Sequence, residues 1–329
     1  MNRRDTVLAL LALGTAPFLA EAQRPGKVWR VGFLMPYRRP PSPELFEKFF
    51  GSHLRALRDV GYVEGKNVVI EWRFAENKPE RLPGLAAELV QLKMDVIHST
   101  GTPATLAAQR ATTTIPIVMM VGDPVGAGLV ASLARPGGNS TGVTSLDVEL
   151  TPKLLELLLN VAPKTSKVAV MVNPSNSAQF RTLNLVQDAA QRIGKNVVAV
   201  QPQTAAEIEN GFSVMRQQGA GAVLVAPDSF FLSQRSQIAE LAAKNRLPSI
   251  AGFAEFAEVG CLLSYAANSA DLLRRALTHV DRILKGAKPG DLPVEQPTKF
   301  DLVINLKTAK ALGITIPQSL LLRAERVIE

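Results

Sequence analysis

One cysteine, three histidines and an aromatic content of 5% are all that 329 residues hold for disulfide, metal or ring-stacking chemistry. A single cysteine excludes an intrachain disulfide, and the apolar setting of Cys261, GCLLSYA, fits a small buried hydrophobe. His53, His98 and His279 lie far apart without zinc-ligand spacing, so each reads as structural or surface rather than catalytic. A P-loop and a nucleophile–base pair at recognisable spacing are also missing, so neither a cofactor nor an enzymatic activity is expected. Lys and Arg outnumber Asp and Glu by 37 to 29, a formal net charge of +8. The surplus is spread singly, without basic runs or interleaved aromatics, so it reads as a solvated basic surface and no nucleic-acid partner is expected.

What the chain does have is apolar mass: 47% of its residues are hydrophobic and 20% charged. That places it among packed globular proteins, and the length points to two lobes rather than one core. The N-terminus, MNRRDTVLALLALGTAPFLAEAQ, combines two arginines, a short apolar run and Ala20-Glu21-Ala22. Residues 1–22 are therefore expected to be a cleavable export signal. Arg3 and Arg4 point to the twin-arginine route, although Thr6 stands where a phenylalanine is usual. Beyond it no run is apolar for long enough to span a bilayer, which predicts a soluble, periplasmic mature chain.

Short Val/Ile-rich runs alternate with amphipathic patterns throughout. VWRVGFL, a helix near residues 43–60, NVVIEWRF, a helix near 79–94, DVIHSTG, a helix from Thr102 and IPIVMMVG form one series. KVAVMVN, NVVAVQP, GAVLVAPD and PSIAGF form a second. This rhythm predicts an α/β chain of two units, each a parallel sheet covered on both faces. An internal echo supports it, since GKNVVIE at Gly65 and GKNVVAV at Gly194 each open the second strand of a unit.

The stretch GAGLVASLARPGGNSTGVTSLD imitates a dinucleotide fingerprint, with G-x-G-x-x-A after an apolar run and Asp147 about twenty positions on. Its position argues otherwise. A fingerprint follows the first strand of its domain, whereas three strands precede this one and Asp123 would oppose a pyrophosphate. Asp123 as N-cap and Pro124 as first residue predict a helix that ends at Pro136-Gly137-Gly138. The glycines then serve close packing and turn geometry, and STGVTSLD becomes the strand that leaves the first lobe.

Three long stretches are more specific: LRDVGYVEGKNVVIEWRFAENKPERLPGLAAELV, GDPVGAGLVASLARPGGNSTGVTSL and LPVEQPTKFDLVINLKTAKALGITIPQSLLLRA. They resemble the TrpX-like family of ABC transporter substrate-binding proteins, in order and from about Val28 to the C-terminus. The resemblance implies a type I periplasmic-binding fold: two Rossmann-like lobes joined by hinge crossovers, closing on a small solute. Some members of that family bind tryptophan or other aromatic amino acids. The expected division is 28–146 with 267–291 for the first lobe, and 147–266 with 292–329 for the second. The expected partners are a small solute and an ABC permease of the inner membrane, with the chain acting as a monomer.

Ligands of open α/β sheets sit beyond the carboxyl ends of the strands, so facing loops from two lobes predict the site. Tyr37, Thr100, Gly101, Thr102 and Asp123 are the candidates from lobe one. Asn173, Ser175, Asn176, Asp228 and Phe253 come from lobe two, and Asp147 and Tyr265 lie near the crossovers. Thr102 as N-cap with Pro103 behind it would leave free N–H groups for an anion. Asp228 suits a ligand ammonium or a helix cap, and Tyr37, Phe253 and Tyr265 suit an aromatic wall or core packing. Arg38 or Arg39, where family members carry small residues, would pair with a carboxylate or phosphate if turned to the cleft, and otherwise decorate the rim. A sensor that docks on a receptor, or a two-lobed nucleotide-using enzyme, would employ the same cleft.

Overall fold

The structure, a computed structural model, describes residues 27–329, so the expected export signal lies outside the described residues. The first series runs β1 (Trp29–Met35), α1 (Pro43–Asp59), β2 (Val68–Phe74), α2 (Leu82–Gln91), β3 (Val96–Thr100), α3 (Thr102–Ala111), β4 (Ile117–Val121) and β5 (Ser140–Thr144). A crossover helix, α4 (Asp147–Val161), leads into β6 (Lys167–Met171), α5 (Ala178–Arg192), β7 (Asn196–Val200), α6 (Ala205–Gln217) and β8 (Ala222–Val225). Then come α7 (Ser229–Ser233), α8 (Arg235–Lys244), β9 (Ser249–Ala251), α9 (Glu255–Glu258) and β10 (Leu263–Ala267). The chain returns through α10 (Ser269–Leu284) and ends with β11 (Phe300–Asn305), α11 (Leu306–Leu312), α12 (Gln318–Leu321) and β12 (Arg326–Ile328).

Two sheets result, ordered β2-β1-β3-β4-β5 and β12-β11-β10-β9-β8-β6-β7. The echoed heptapeptides open β2 and β7, which hold the same edge position beside β1 and β6. Every pairing is parallel except β10 with β11, where the returning chain runs back along its neighbour. α10 shows why the chain must cross back. Leu272, Leu273, Ala276, Leu277, Val280 and Ile283 recur at helical spacing and are buried in the core built on β1, β2, β3 and β4. Asn268 caps this helix by accepting the Asp271 N–H at 2.9 Å.

Past residue 291 the chain keeps contact with the first sheet. Glu295 donates its N–H to Gly142 and accepts that of Thr144, both at 2.9 Å, so the segment around it still lines β5. Gly142 has φ +136, and a Cβ there would stand 2.1 Å from the Met119 carbonyl oxygen. Only glycine allows this close approach of β5 to β4. The helix expected to follow Asp123 does not form. Asp123 does accept the Gly126 N–H at 2.8 Å, but Gly128 then takes φ +70 and ends the first turn. A Gly-x-Gly run disfavours continuing the helix, and the loop instead buries Leu129 and Val130 against Met119, Val121 and Val294.

All three histidines are buried. His279 is buried with its ring nitrogens beside the carbonyls of Arg275 and Pro293. His53 and His98 sit in the first-lobe aromatic cluster, where Phe33 stacks on Trp72 at 4.2 Å. Burial pushes His53 down to about 3, with His98 adding to the effect, and pushes His98 itself to about 4. Cys261 is buried, and desolvation lifts its thiol to about 12.

Candidate functional site

The carboxyl ends of β1, β3 and β4 face those of β6, β8 and β9 across a cavity of about 110 Å³. Tyr37, Thr100, Gly101 and Thr102 line it from the first lobe, and Asn173, Asn176, Asp228 and Phe253 from the second. Pro36 stands beside Tyr37, and Pro79, Leu82, Met120, Val148, Phe230 and Leu272 complete a largely apolar wall that sequence reasoning left out. Several of these follow strand ends or sit on helices whose cleft-facing side only the packing reveals.

Three candidates stand elsewhere. Tyr265 stacks on Phe300 with ring centroids 5.9 Å apart and packs on the second-lobe core, because its place on β10 turns it away from the cavity. Ser175 donates to Gln203 at 3.2 Å and borders an adjoining groove with Ser177, Pro103 and Arg110. Asp123 is buried and paired with Arg181 of α5. Arg38 and Arg39 are exposed and outside the lining, the Arg39 N–H bonding to Glu76.

On the first-lobe wall, Gly101 rather than Thr102 occupies the N-cap of α3, and Thr102 is the first helical residue. Gly101 takes φ +83, which a Cβ would strain, and no side chain caps the helix. The N–H groups of Thr102 and Ala104 therefore have no intrahelical partner and carry the positive end of the helix dipole. Beside them the buried Thr100 hydroxyl has no protein partner. A ligand carboxylate is the chemistry that satisfies all three donors.

Two carboxyls also line the cavity. Asp228 accepts from the side-chain amides of Asn173 at 2.9 Å and Asn176 at 2.8 Å, and caps α7 through the Phe230 N–H at 2.9 Å. Of the two roles weighed from the sequence the helix cap is present, and the same carboxyl also lines the cavity. Desolvation pushes its carboxyl up, although these donors pull the other way. Asp147, at the start of α4, also lines the cavity, and desolvation raises it to about 7, against the pull of Ser145 and with help from Glu149 and Asp228.

The approach of Asp147 is built into the backbone. Leu146 is held left-handed at φ 56, uncommon for a bulky side chain, with its N–H on the Thr144 hydroxyl at 3.2 Å. Gly122 clears the space, since a Cβ there would lie 2.7 Å from Asp147 Oδ2. The aspartate at the first-lobe exit was visible in the sequence; its turn into the cleft depends on Leu146 and Gly122.

The lobes are closed on one another. The Tyr37 side chain reaches towards Ser229 across the cleft, and desolvation lifts its hydroxyl to about 12, against the pull of Ser229. A Cβ on Gly101 would stand 3.3 Å from Ser229 Oγ.

A family model described as ABC transporter substrate binding protein matches residues 43–328. A tyrosine-binding protein of Clostridioides difficile strain R20291 is 32% identical over 276 residues, covering 83% of this chain and 78% of that protein. An ABC domain from Streptococcus pneumonia in complex with L-Trp is 28% identical and superposes with a TM-score of 0.82 over 91% of this chain and 99% of that one. The ligand-free, open structure of a substrate-binding protein with adhesive properties from Clostridium difficile, also 28% identical, superposes at 0.64 over 92% and 99%.

Proposed function

Because this chain belongs to the family of ABC transporter substrate-binding proteins, we propose that it captures an α-amino acid with a bulky apolar side chain and delivers it to a membrane permease. Its fold is the two-lobed type I periplasmic-binding architecture. The observation that carries the ligand assignment is the polarity of the cavity. Unpartnered donors of Thr100 and the α3 N-terminus line it from the first lobe, and two carboxyls share it, that of Asp147 beside Gly122 at the crossover and that of Asp228 on the second lobe.

A carboxylate answers the donors and a primary ammonium the two carboxyls. Asp228 is buried and Asp147 half-buried, and both are raised by desolvation, so a cation beside them offsets the cost of ionising them. Tyr37, Phe230, Phe253 and Leu272 then surround the side chain, supplying apolar contact and ring edges. The tyrosine-binding relative and the L-Trp complex support the same class of ligand. Micromolar affinity corresponds to about 8 kcal/mol, within reach of a few oriented charge-assisted bonds and one buried ring. We assign the mature protein to the periplasm, as a monomer that presents both lobes to the permease once closed.

The test is a thermal-shift and calorimetric panel on protein refolded to strip bound solute. L-Tyrosine, L-tryptophan and L-leucine are compared with indole-3-propionate, which lacks the ammonium, and tryptamine, which lacks the carboxylate. At a hundred times the dissociation constant a ligand stabilises by about 2.7 kcal/mol. Shifts confined to molecules bearing both groups support the assignment. A shift with sugars, or equal shifts with indole-3-propionate and L-tryptophan, overturns it.

A further inference from the structure

We infer that Asp123, Arg181 and Gly126 form an inter-lobe latch that sets the fraction of closed protein without touching the ligand. Asp123 lies in the loop after β4 on the first lobe, and Arg181 on α5 of the second. An Arg181 Nη1 donates to Asp123 Oδ2 at 2.5 Å. Neither residue lines the cavity.

The pair is asymmetric. The Asp123 side chain is 5% exposed and that of Arg181 50%. Asp123 is held in place by the Gly126 N–H, whereas Arg181 is also 3.6 Å from Glu149 of its own lobe. Opening therefore leaves Arg181 an alternative partner and strips Asp123 of its guanidinium. The closed geometry also depends on the absence of one methyl group. A Cβ on Gly126 would stand 2.0 Å from Asp123 Oδ2 and 2.7 Å from Arg181 Nη1, although the backbone there lies outside the left-handed region. The first glycine of the fingerprint-like run thus makes room for a contact between lobes.

An ion pair that exists only in the closed form shifts the closed–open equilibrium by its own free energy, and apparent affinity scales with the closed fraction. With one partner half-exposed the effect is modest, roughly twofold to fivefold. It applies equally to every ligand, because the ligand is not contacted.

The experiment uses the full mature chain with dyes on Lys66→Cys and Arg192→Cys, exposed sites that precede β2 and β7 at the far ends of the two lobes. Cys261 is buried and stays unlabelled. Arg181→Gln and Gly126→Ala are each expected to lower the closed fraction of ligand-free protein and to weaken every ligand by one common factor. Raising salt to 0.5 M shrinks the difference between Arg181→Gln and the parent. Gly126→Ala keeps both charges, so it reports even if Arg181→Gln folds poorly. The inference is overturned if neither closed fraction nor affinity moves by twofold in the variants, or if the factor differs from ligand to ligand. It rests on the binding-protein reading only for the affinity arm, because the dye distance in ligand-free protein tests the latch whatever the solute proves to be.

Discussion

Replacing Asp147 by asparagine should stabilise the empty protein and impair the loaded one, and pH decides by how much. The carboxyl of Asp147 ionises at about 7 in the folded protein, against an ordinary value of 3.8. A group with a raised folded value keeps its proton where the unfolded chain has lost it, so stability is full below 3.8 and falls as pH rises to 7. A difference of about three pH units corresponds to at most about 4 kcal/mol, reduced by whatever water enters the cavity. The neutral amide of the variant carries no such penalty. Ligand-free Asp147→Asn and parent should therefore melt together near pH 4 and diverge by several degrees at pH 8, with the variant higher. Binding runs the other way: an ammonium pairs with the ionised form, so parental affinity should rise up to about tenfold per pH unit from 5 to 7 and then level off. The variant should be flat across that range. Differential scanning fluorimetry and calorimetry at half-unit steps read both curves. A melting difference that does not change between pH 4 and 8 would refute the reasoning, as would parallel affinity profiles.

The buried histidines act at the acid end. Both are held below 6.5, to about 3 for His53 and about 4 for His98, so their contribution is complete above 6.5 and is lost as pH falls towards those values. For His98 this amounts to about 3 kcal/mol, and His98→Leu should flatten the decline of the urea midpoint between pH 6.5 and 4.5; an unchanged slope would clear His98 of that role. Thr100→Val removes a buried hydroxyl without a partner while keeping its shape. The melting temperature of ligand-free protein should hold or rise, while amino-acid affinity drops about tenfold. Loss of stability with unchanged affinity would mean that the hydroxyl serves the fold.

The sequence alone carried the architecture, because strand and helix periods are local. Val/Ile runs alternating with amphipathic helices specified two α/β units, and the repeated GKNVV placed β2 and β7 in equivalent positions. Loops at strand ends followed from that order, which is why Tyr37, Thr100, Gly101, Thr102, Asn173, Asn176, Asp228 and Phe253 all line one cavity. Tertiary structure decided the rest, since it depends on which way a side chain turns and what another lobe brings against it. Tyr265 follows the pleat of β10 into the core, and Asp147 enters the cleft through the left-handed Leu146. Gly126 and Asp123 gain their meaning only from Arg181, which stands 58 residues beyond Asp123 in sequence and on the other lobe. No period or spacing encodes such a contact, because its cause is the packing of two separately folded surfaces.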